Sequence, residues 1–339
     1  MRDKCIFDKC NFYSSKTFLL FIIYTLFGIS AYLVINADRQ TVNFLDYSTK
    51  YYHPVRKAFV EVKQEPKIQQ DGFHLVTTFF VYTDPGWAWK LWNSDTHRFP
   101  TKQQLLERQN EVLFCLEQNL QNAMVSTINI LYNRSHIYEY LSNLSLPMME
   151  KLLLHDVKKE PTVSIVFQFI SSHLVKKNVI YLHMDNYLAS GFEKINLFSL
   201  SRENILYSLT RHYEPDIYCK SARESRFCND GAIYEGSHDA FIFNLKRPIS
   251  KEDLEYLTFT QNENGQENVL IWWLQTKLGF KVTNPCKILI IYHHHCLSIR
   301  ERVRIRHYVP KPPPVWFFRS RSQRRIPWKS QTANFTDRL

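Results

Sequence analysis

The sequence predicts an α/β domain, a mixed sheet flanked by helices, carried behind one membrane-spanning segment. Three observations lead there. Segments rich in β-branched and aromatic residues alternate with segments of helical periodicity from Phe73 to about residue 300, the order expected of strands joined by crossover connections. The run TFLLFIIYTLFGISAYLVI, Thr17 to Ile35, holds no charged residue, and a helix of about 20 apolar residues spans the hydrocarbon core. With 45% hydrophobic and 15% aromatic residues among 339, the rest of the chain can bury a sizeable core, which excludes disorder over most of its length.

From the N-terminus, Arg2, Lys4, Lys9 and Lys16 precede the apolar run and few cations follow it closely. The positive-inside rule therefore puts residues 1–16 in the cytosol and the bulk of the chain in the lumen or outside, with 17–35 as an uncleaved signal anchor. A cleaved signal peptide fits less well, because its apolar region is about 7–15 residues and no small-x-small site follows closely. Residues 36–72 are polar and patchy and read as a stem, 73–308 as the folded domain, and 309–339 as a basic, disordered tail. Much of the net charge of +11 lies after residue 300. A nucleic-acid role would rest on that tail alone, and the lumenal topology argues against it.

The same topology implies an oxidising compartment. Five of the seven cysteines come after the anchor, so one thiol is left over or pairs between chains. Cys219 and Cys228 flank the charged loop KSARESRF and are expected to bond across it. Cys286 and Cys296 bracket an expected strand whose extended length would hold them apart, so other partners are expected for them. Sequons stand at Asn133, Asn143 and Asn334, all on the lumenal side, and Asn133 and Asn143 are expected to be glycosylated.

Within the domain, FHLVTTFFVYTDP reads as a strand closed by a turn at DPG. TKQQLLERQNEVLFCLEQNLQNA carries Leu105, Leu106, Val112, Leu113, Leu116 and Leu120 near three and four apart, an amphipathic helix that Thr101 can cap. MVSTINILYN is the next strand. IYEYLSNLSLPMMEKLLLHD is helical in pieces broken by Pro147, and TVSIVFQFISSHLVKKN is helical. Strands come next at VIYLHMD, ENILYSLTRHY and DAFIFNL. GQENVLIWWLQTKLG is a helix opened and closed by glycines, with Trp272 and Trp273 as core residues, and KILIIYHHH is the last strand.

Ligands of open α/β sheets bind beyond the carboxyl ends of the strands, and several strands here end in groups that can do chemistry. VIYLHMD ends in His183 and Asp185, and EGSHDAFIF brings Glu235, His238 and Asp239 into an apolar strand. NENGQEN places Glu267 at a helix start, where the dipole alone also favours a carboxylate. YHHHCLSIR ends a strand in His293, His294 and His295, and on a strand the first and third share a face. Carboxylate oxygens with neutral imidazoles suit Mn²⁺ or Mg²⁺. A lone Asp is as readily a turn former, and adjacent histidines can be surface decoration; convergence at one sheet edge is what favours a site. No Walker loop, GxGxxG, HExxH or GxSxG is present, and the chain has 8 Gly. A diphosphate would therefore be held by a metal or by cationic side chains, for which Arg211 and Arg300 are candidates.

The blocks VIYLHMDNYLASGFEKI, ILYSLTRH, GSHDAFIFNL, GQENVLIWWL and NPCKILIIYHHHCLSIR, in that order behind an anchor and a stem, resemble the Golgi glycosyltransferases of the GT-A fold. The likeness is greatest to a poorly characterised glycosyltransferase-like group and covers roughly residues 74–306. It implies a GT-A-like (Rossmann-like) fold, a nucleotide-sugar donor, a glycan or glycoprotein acceptor and Mn²⁺ (or Mg²⁺). Asp185 takes the position of the metal-binding D-x-D carboxylate, and His183 stands where the first acid of that motif would be. On this reading Asp185, His183 and His295 hold the metal, and Asp185, Arg211 and Arg300 meet the donor. Asp239 or Glu267 takes the proton from the acceptor hydroxyl. The rival reading is a membrane-anchored glycan-binding or partner-docking protein on the same fold, catalytically degenerate because His183 removes a negative charge.

Overall fold

The structure, a computed structural model, describes residues 72–84, 91–93, 96–214, 228, 238–261, 263, 265–297, 299–301, 333–336 and 338–339. The expected anchor and stem lie outside the described residues, and among the described residues no helix is long and apolar enough to cross a membrane. In chain order the first half runs β1 (Phe73–Thr78), β2 (Leu91–Asn93), α1 (Lys102–Gln121), β3 (Val125–Tyr132), α2 (Ser135–Ser142), β4 (Leu152–Asp156), α3 (Val163–His173), β5 (Asn178–Leu182) and β6 (Asn186–Leu188). The second half runs α4 (Leu197–Arg202), β7 (Ile205–Thr210), β8 (His238–Asn244), α5 (Lys251–Leu254), α6 (Gln266–Thr276), β9 (Lys281–Asn284), β10 (Ile291–His293), β11 (Ile299–Glu301) and β12 (Asn334–Phe335).

Eight strands form one sheet in the order β12-β9-β7-β8-β5-β1-β3-β4. All neighbours are parallel except β8, which runs antiparallel to both β5 and β7. The sheet is covered on both faces, which is why its central strands read as continuous apolar runs rather than alternating ones; all seven residues of β8 are buried. One face packs under α1, whose Leu105, Val112, Leu113, Leu116 and Leu120 join a cluster with β1 and β3. The other face packs under α3 and α6, around Phe167, Phe243 and Trp273. Trp273 is buried as expected, and its indole N–H donates to the Asp253 carbonyl at 2.7 Å. Helix α1 starts where its sequence says it should: Thr101 accepts from the Gln104 N–H and Gln104 answers to the Thr101 N–H, a capping box.

Four expectations are corrected. LLLHD is not helical but forms β4, a half-exposed edge strand parallel to β3. It is launched by a 3-10 turn at Met149–Lys151, whose Lys151 amine donates to the carbonyls of Leu120 in α1 and of Asn122, the residue that caps the end of α1, at 2.9 and 3.0 Å. KILIIYHHH is not one strand: β9 ends at Asn284, Ile288 and Leu289 turn back onto the Pro285 carbonyl, and only Ile291–His293 is extended. That strand, β10, leaves the main sheet and pairs antiparallel with β6, a strand unforeseen in the sequence. The basic tail returns at its end, where β12 pairs with β9 and Ala333 is buried. Finally, Cys228 bonds to Cys286, with Cα atoms 6.0 Å apart, and so does not bond across its loop to Cys219, which lies outside the described residues. The turn after β9 puts Cys286 beside the end of β7, and this long-range proximity overrides the short loop. Cys296 is disulfide-bonded as well, and Cys115 is a buried free thiol.

The β6–β10 ribbon crosses the end of the sheet and brings Asn186 opposite His293 there. A glycine just past β6 makes the crossing possible. Gly191 has φ +93°, and a Cβ there would lie 1.8 Å from the Ile288 carbonyl oxygen, so only glycine fits this position.

Candidate functional site

The chain leaves β1 for β3 on one side of it and later fills the other side with β5, so the strand order reverses at β1. Such switch points open a crevice at the carboxyl ends of the strands. Because β8 is antiparallel, its start, His238 and Asp239, lies at the same edge as the ends of β5 and β7. Strand β5 stops at Leu182, and His183–Asp185 form a turn closed by the Asn186 N–H on the His183 carbonyl at 3.1 Å. Three elements therefore bring the sequence-predicted residues together: the β5–β6 turn, the start of β8 and the end of β10.

Two charge clusters result. In the first, Asp185 Oδ2 lies 3.2 Å from His293 Nε2 and 3.3 Å from His295 Nδ1. In the second, Asp239 Oδ1 lies 3.3 Å from His183 Nδ1, and Asp239 Oδ2 lies 3.3 Å from Arg211 Nη1. Arg211 joins them, since the same Nη1 is 3.4 Å from His293 Nε2. Glu267 begins α6 behind Gly265 in the left-handed conformation (φ 81°), while the amide nitrogen of Gln266 stands 3.4 Å from His183 Nε2. His183 therefore pairs with Asp239, while the imidazoles that pair with Asp185 are those of His293 and His295. The backbone of Arg300 pairs with Trp92 in a β2–β11 ribbon, and its side chain lies outside the described residues.

The electrostatics separate roles. Burial raises the Asp239 carboxyl, but Arg211 and His183 outweigh it and hold it at about 2. Asp185 is likewise held well below the usual carboxylate range, against burial, by His293, His295 and Arg108. Glu267 moves the other way: burial and then Asp239 raise it, against the pull of His183. His183 is raised, because Asp239 more than offsets its burial. His295 is pushed down to about 3 by burial and Arg108, and His293 is lowered by burial and Arg211.

Each imidazole of the first cluster presents one ring nitrogen to Asp185 Oδ2. His295 Nε2 is 3.2 Å from the Ile299 carbonyl oxygen, and its Nδ1 is 3.3 Å from Asp185 Oδ2. His293 Nε2 lies between the Arg211 guanidinium at 3.4 Å, which can only donate, and Asp185 Oδ2 at 3.2 Å, which can only accept. Two imidazoles and a carboxylate thus converge, with one ligand atom of each within 4.8 Å of the others. A ring N–H donated to a backbone carbonyl is the usual way an imidazole is oriented toward a metal. Two imidazoles and a carboxylate suit a first-row divalent ion, and the residues present fit one.

The helix behind this cluster is a part of the site that sequence reasoning missed. Arg108 of α1 is 1% exposed. Its Nη2 is 2.6 Å from Asp185 Oδ2, and its Nη1 donates to Glu111 Oε2 at 2.7 Å and to the His294 carbonyl at 3.2 Å. Glu111 Oε1 in turn accepts the N–H groups of Cys296 and Leu297 at 2.9 and 3.1 Å. Further along the same face, Asn119 donates to the Asn186 carbonyl and accepts the Leu188 N–H, both at 3.0 Å, and Asn122 donates to the Leu188 carbonyl at 3.2 Å. Positions 108, 111, 115, 119 and 122 recur three and four apart, one stripe of a helix. The signal was a set of polar residues inside an apolar face.

Beyond the ends of β1 and β3 lies a second concavity, lined by Phe80, Asp84, Asn133, Arg134, His136 and Glu160. Asp84 Oδ2 is 3.0 Å from Arg134 Nη1 and 3.2 Å from His136 Nε2. Of the two sequons expected to be glycosylated, Asn133 lines this pocket and is half-buried, whereas Asn143 is exposed at the end of α2. No protein-family model matches the chain, and comparison with curated proteins returned no match.

Proposed function

We propose that the chain is a metal-dependent glycosyltransferase of GT-A-like architecture, transferring a sugar from a nucleotide-sugar donor to a glycan or glycoprotein acceptor in the secretory pathway. The observation that carries this is the convergence of Asp185, His293 and His295 with Arg211 and Asp239 at the sheet's switch point. Asp185, His293 and His295 would hold Mn²⁺ (or Mg²⁺), which when bound neutralises the donor diphosphate and eases departure of the nucleoside diphosphate. Arg211, partly exposed between the two clusters, meets a phosphate oxygen. The concavity beyond β1 and β3 takes the nucleoside end of the donor, which lies across the crevice of such sheets.

The two candidate bases separate on chemistry. Asp239 is committed to Arg211 and His183 and held at about 2, too weak a base for work near neutral pH. Its role is to orient those two cations. Glu267 is raised by burial and is the better matched acceptor of the proton from an acceptor hydroxyl. Anchorage through Thr17–Ile35 with a lumenal domain completes the proposal. A non-catalytic, glycan-binding reading draws on one observation, that Arg108 already neutralises Asp185 from within the protein.

Calorimetric titration of the full-length chain with UDP, GDP, CDP and CMP, in Mn²⁺ and in EDTA, tests the reading. Binding of at least one nucleotide in Mn²⁺ and its loss in EDTA are expected. Equal binding in EDTA, or none in any condition, refutes it.

A further inference from the structure

We propose that Arg108, with Glu111, is a positioning residue for the Asp185–His293–His295 cluster, fixing the metal-binding geometry from the far side of the site. The inference rests on the metal-dependent reading and adds a role for two residues outside the ligand set. A guanidinium beside a would-be metal ligand has two opposite consequences. As a like charge it repels a divalent cation. As a rigid fork it can lock the ligand atoms in place, because its planar donors accept only one arrangement of partners.

The geometry favours the second effect. Each polar contact of Arg108 holds a neighbour in place. Nη2 fixes Asp185 Oδ2 at 2.6 Å, the oxygen that faces both imidazoles. Nη1 binds the His294 carbonyl at 3.2 Å, between those imidazoles in the chain. Its own charge is balanced by Glu111 at 2.7 Å. Glu111 then carries the restraint onward to the N–H groups of Cys296 and Leu297, so the loop is gripped on the residue after His295. The His294 N–H closes the circuit on the Asp185 carbonyl at 2.9 Å. With Asp185, Arg108 and Glu111 summed, the cluster carries one net negative charge, so it attracts a divalent cation despite the arginine. The rest of the guanidinium stacks over Tyr82 at 5.4 Å and is sealed from solvent. It cannot reach a ligand in the crevice, which makes a substrate-binding role unworkable.

The test is the affinity for Mn²⁺ alone, read from the free-ion EPR signal of the full-length chain and three variants. Arg108→Met removes charge and fork, Arg108→Lys keeps charge without the fork, and Lys151→Met loosens the end of the same helix away from the cluster. Losing an outer partner of a metal ligand weakens binding by about 10–100-fold. Arg108→Met and Arg108→Lys are both expected in that range, with Lys151→Met unchanged at matched folded fraction. If Arg108→Met binds Mn²⁺ as well as or better than the wild type, like-charge repulsion is the dominant effect and the inference is overturned, while the metal reading stands. Equal losses in Lys151→Met and Arg108→Met also overturn it, since the effect would then be general loosening. A wild-type chain that does not bind Mn²⁺ overturns the metal reading, and this inference with it.

Discussion

Replacing Asp185 by Asn is the perturbation that separates a metal ligand from a turn former. Asn keeps the shape and one accepting oxygen, but it removes the charge that faces Arg108, His293 and His295. Breaking a buried pair from one side costs about 3–5 kcal/mol when the remaining charge is left alone. Arg108 keeps Glu111 at 2.7 Å, so the lower end, about 3 kcal/mol, applies. At roughly 2–4 °C per kcal/mol for a domain of this size, the melting temperature should fall by about 6–12 °C. The wild type should also gain stability from Mn²⁺, about 2.7 kcal/mol at a hundred times Kd, or about 5–11 °C on the same scale. Differential scanning fluorimetry of both proteins with and without Mn²⁺ reads both effects. The variant should melt lower and gain nothing from the ion. A turn former would lose about 1 kcal/mol and keep the full Mn²⁺ gain, and that result would sink the assignment.

Two further outcomes derive from the same contacts. His238 is held neutral by burial, at about 4 against an ordinary 6.5, so below pH 6.5 the unfolded chain binds the extra proton and stability falls with acid. At pH 5 this amounts to about 2 kcal/mol. His183 has the opposite sign: its raised value makes the His183–Asp239 stabilisation complete below pH 6.5 and lost as pH rises through the folded value. Urea midpoints of the metal-free chain at pH 5, 6.5 and 8 should therefore peak in the middle, and a flat series would show these histidines to be solvated. Gly191→Ala should cost at least about 3 kcal/mol, combining left-handed strain with a Cβ driven into the Ile288 carbonyl. Because the ribbon sets His293 opposite Asn186, the same variant should weaken Mn²⁺ binding in titration; unchanged stability and affinity would mean the ribbon shifts freely.

Most of the sheet was legible because its strands are buried on both faces and bounded by turn chemistry. The segments that failed are those whose state is decided at long range. LLLHD has an apolar content that suits helix or strand equally, and only the free edge of β3 makes it β4. In KILIIYHHH the residues are strand formers throughout, yet the chain turns back at Pro285–Leu289 because Cys286 bonds to Cys228 and Gly191 lets the ribbon pass against Ile288. Cysteine pairing obeys the same logic. A loop of about ten residues looks the easier one to close, but the folded positions of β7 and β9, not loop entropy, chose the partner.

The candidate site divides along a different line. His183, Asp185, Arg211, Asp239, Glu267, His293 and His295 were visible because each is a charged or imidazole group at the end of an apolar strand or the start of a helix, where one topology brings such ends together. Their pairing was not visible, since strand alternation says which face a residue takes and not how far the strand runs. β5 stops one residue before His183, the next turn parts it from Asp185, and the two neighbours end in different clusters. Arg108 was hidden for a deeper reason. A helix is read from its apolar residues, and a buried arginine contradicts that reading until its partner is known. It has two: Glu111, three residues on along the same helix, and Asp185, 77 residues away. Glu111 lies within a local reading of the helix, but no window along the chain contains both Arg108 and Asp185. The cost of burying such a pair is seldom repaid in stability, which is the physical reason to look for its purpose in the Asp185–His293–His295 cluster it holds in place.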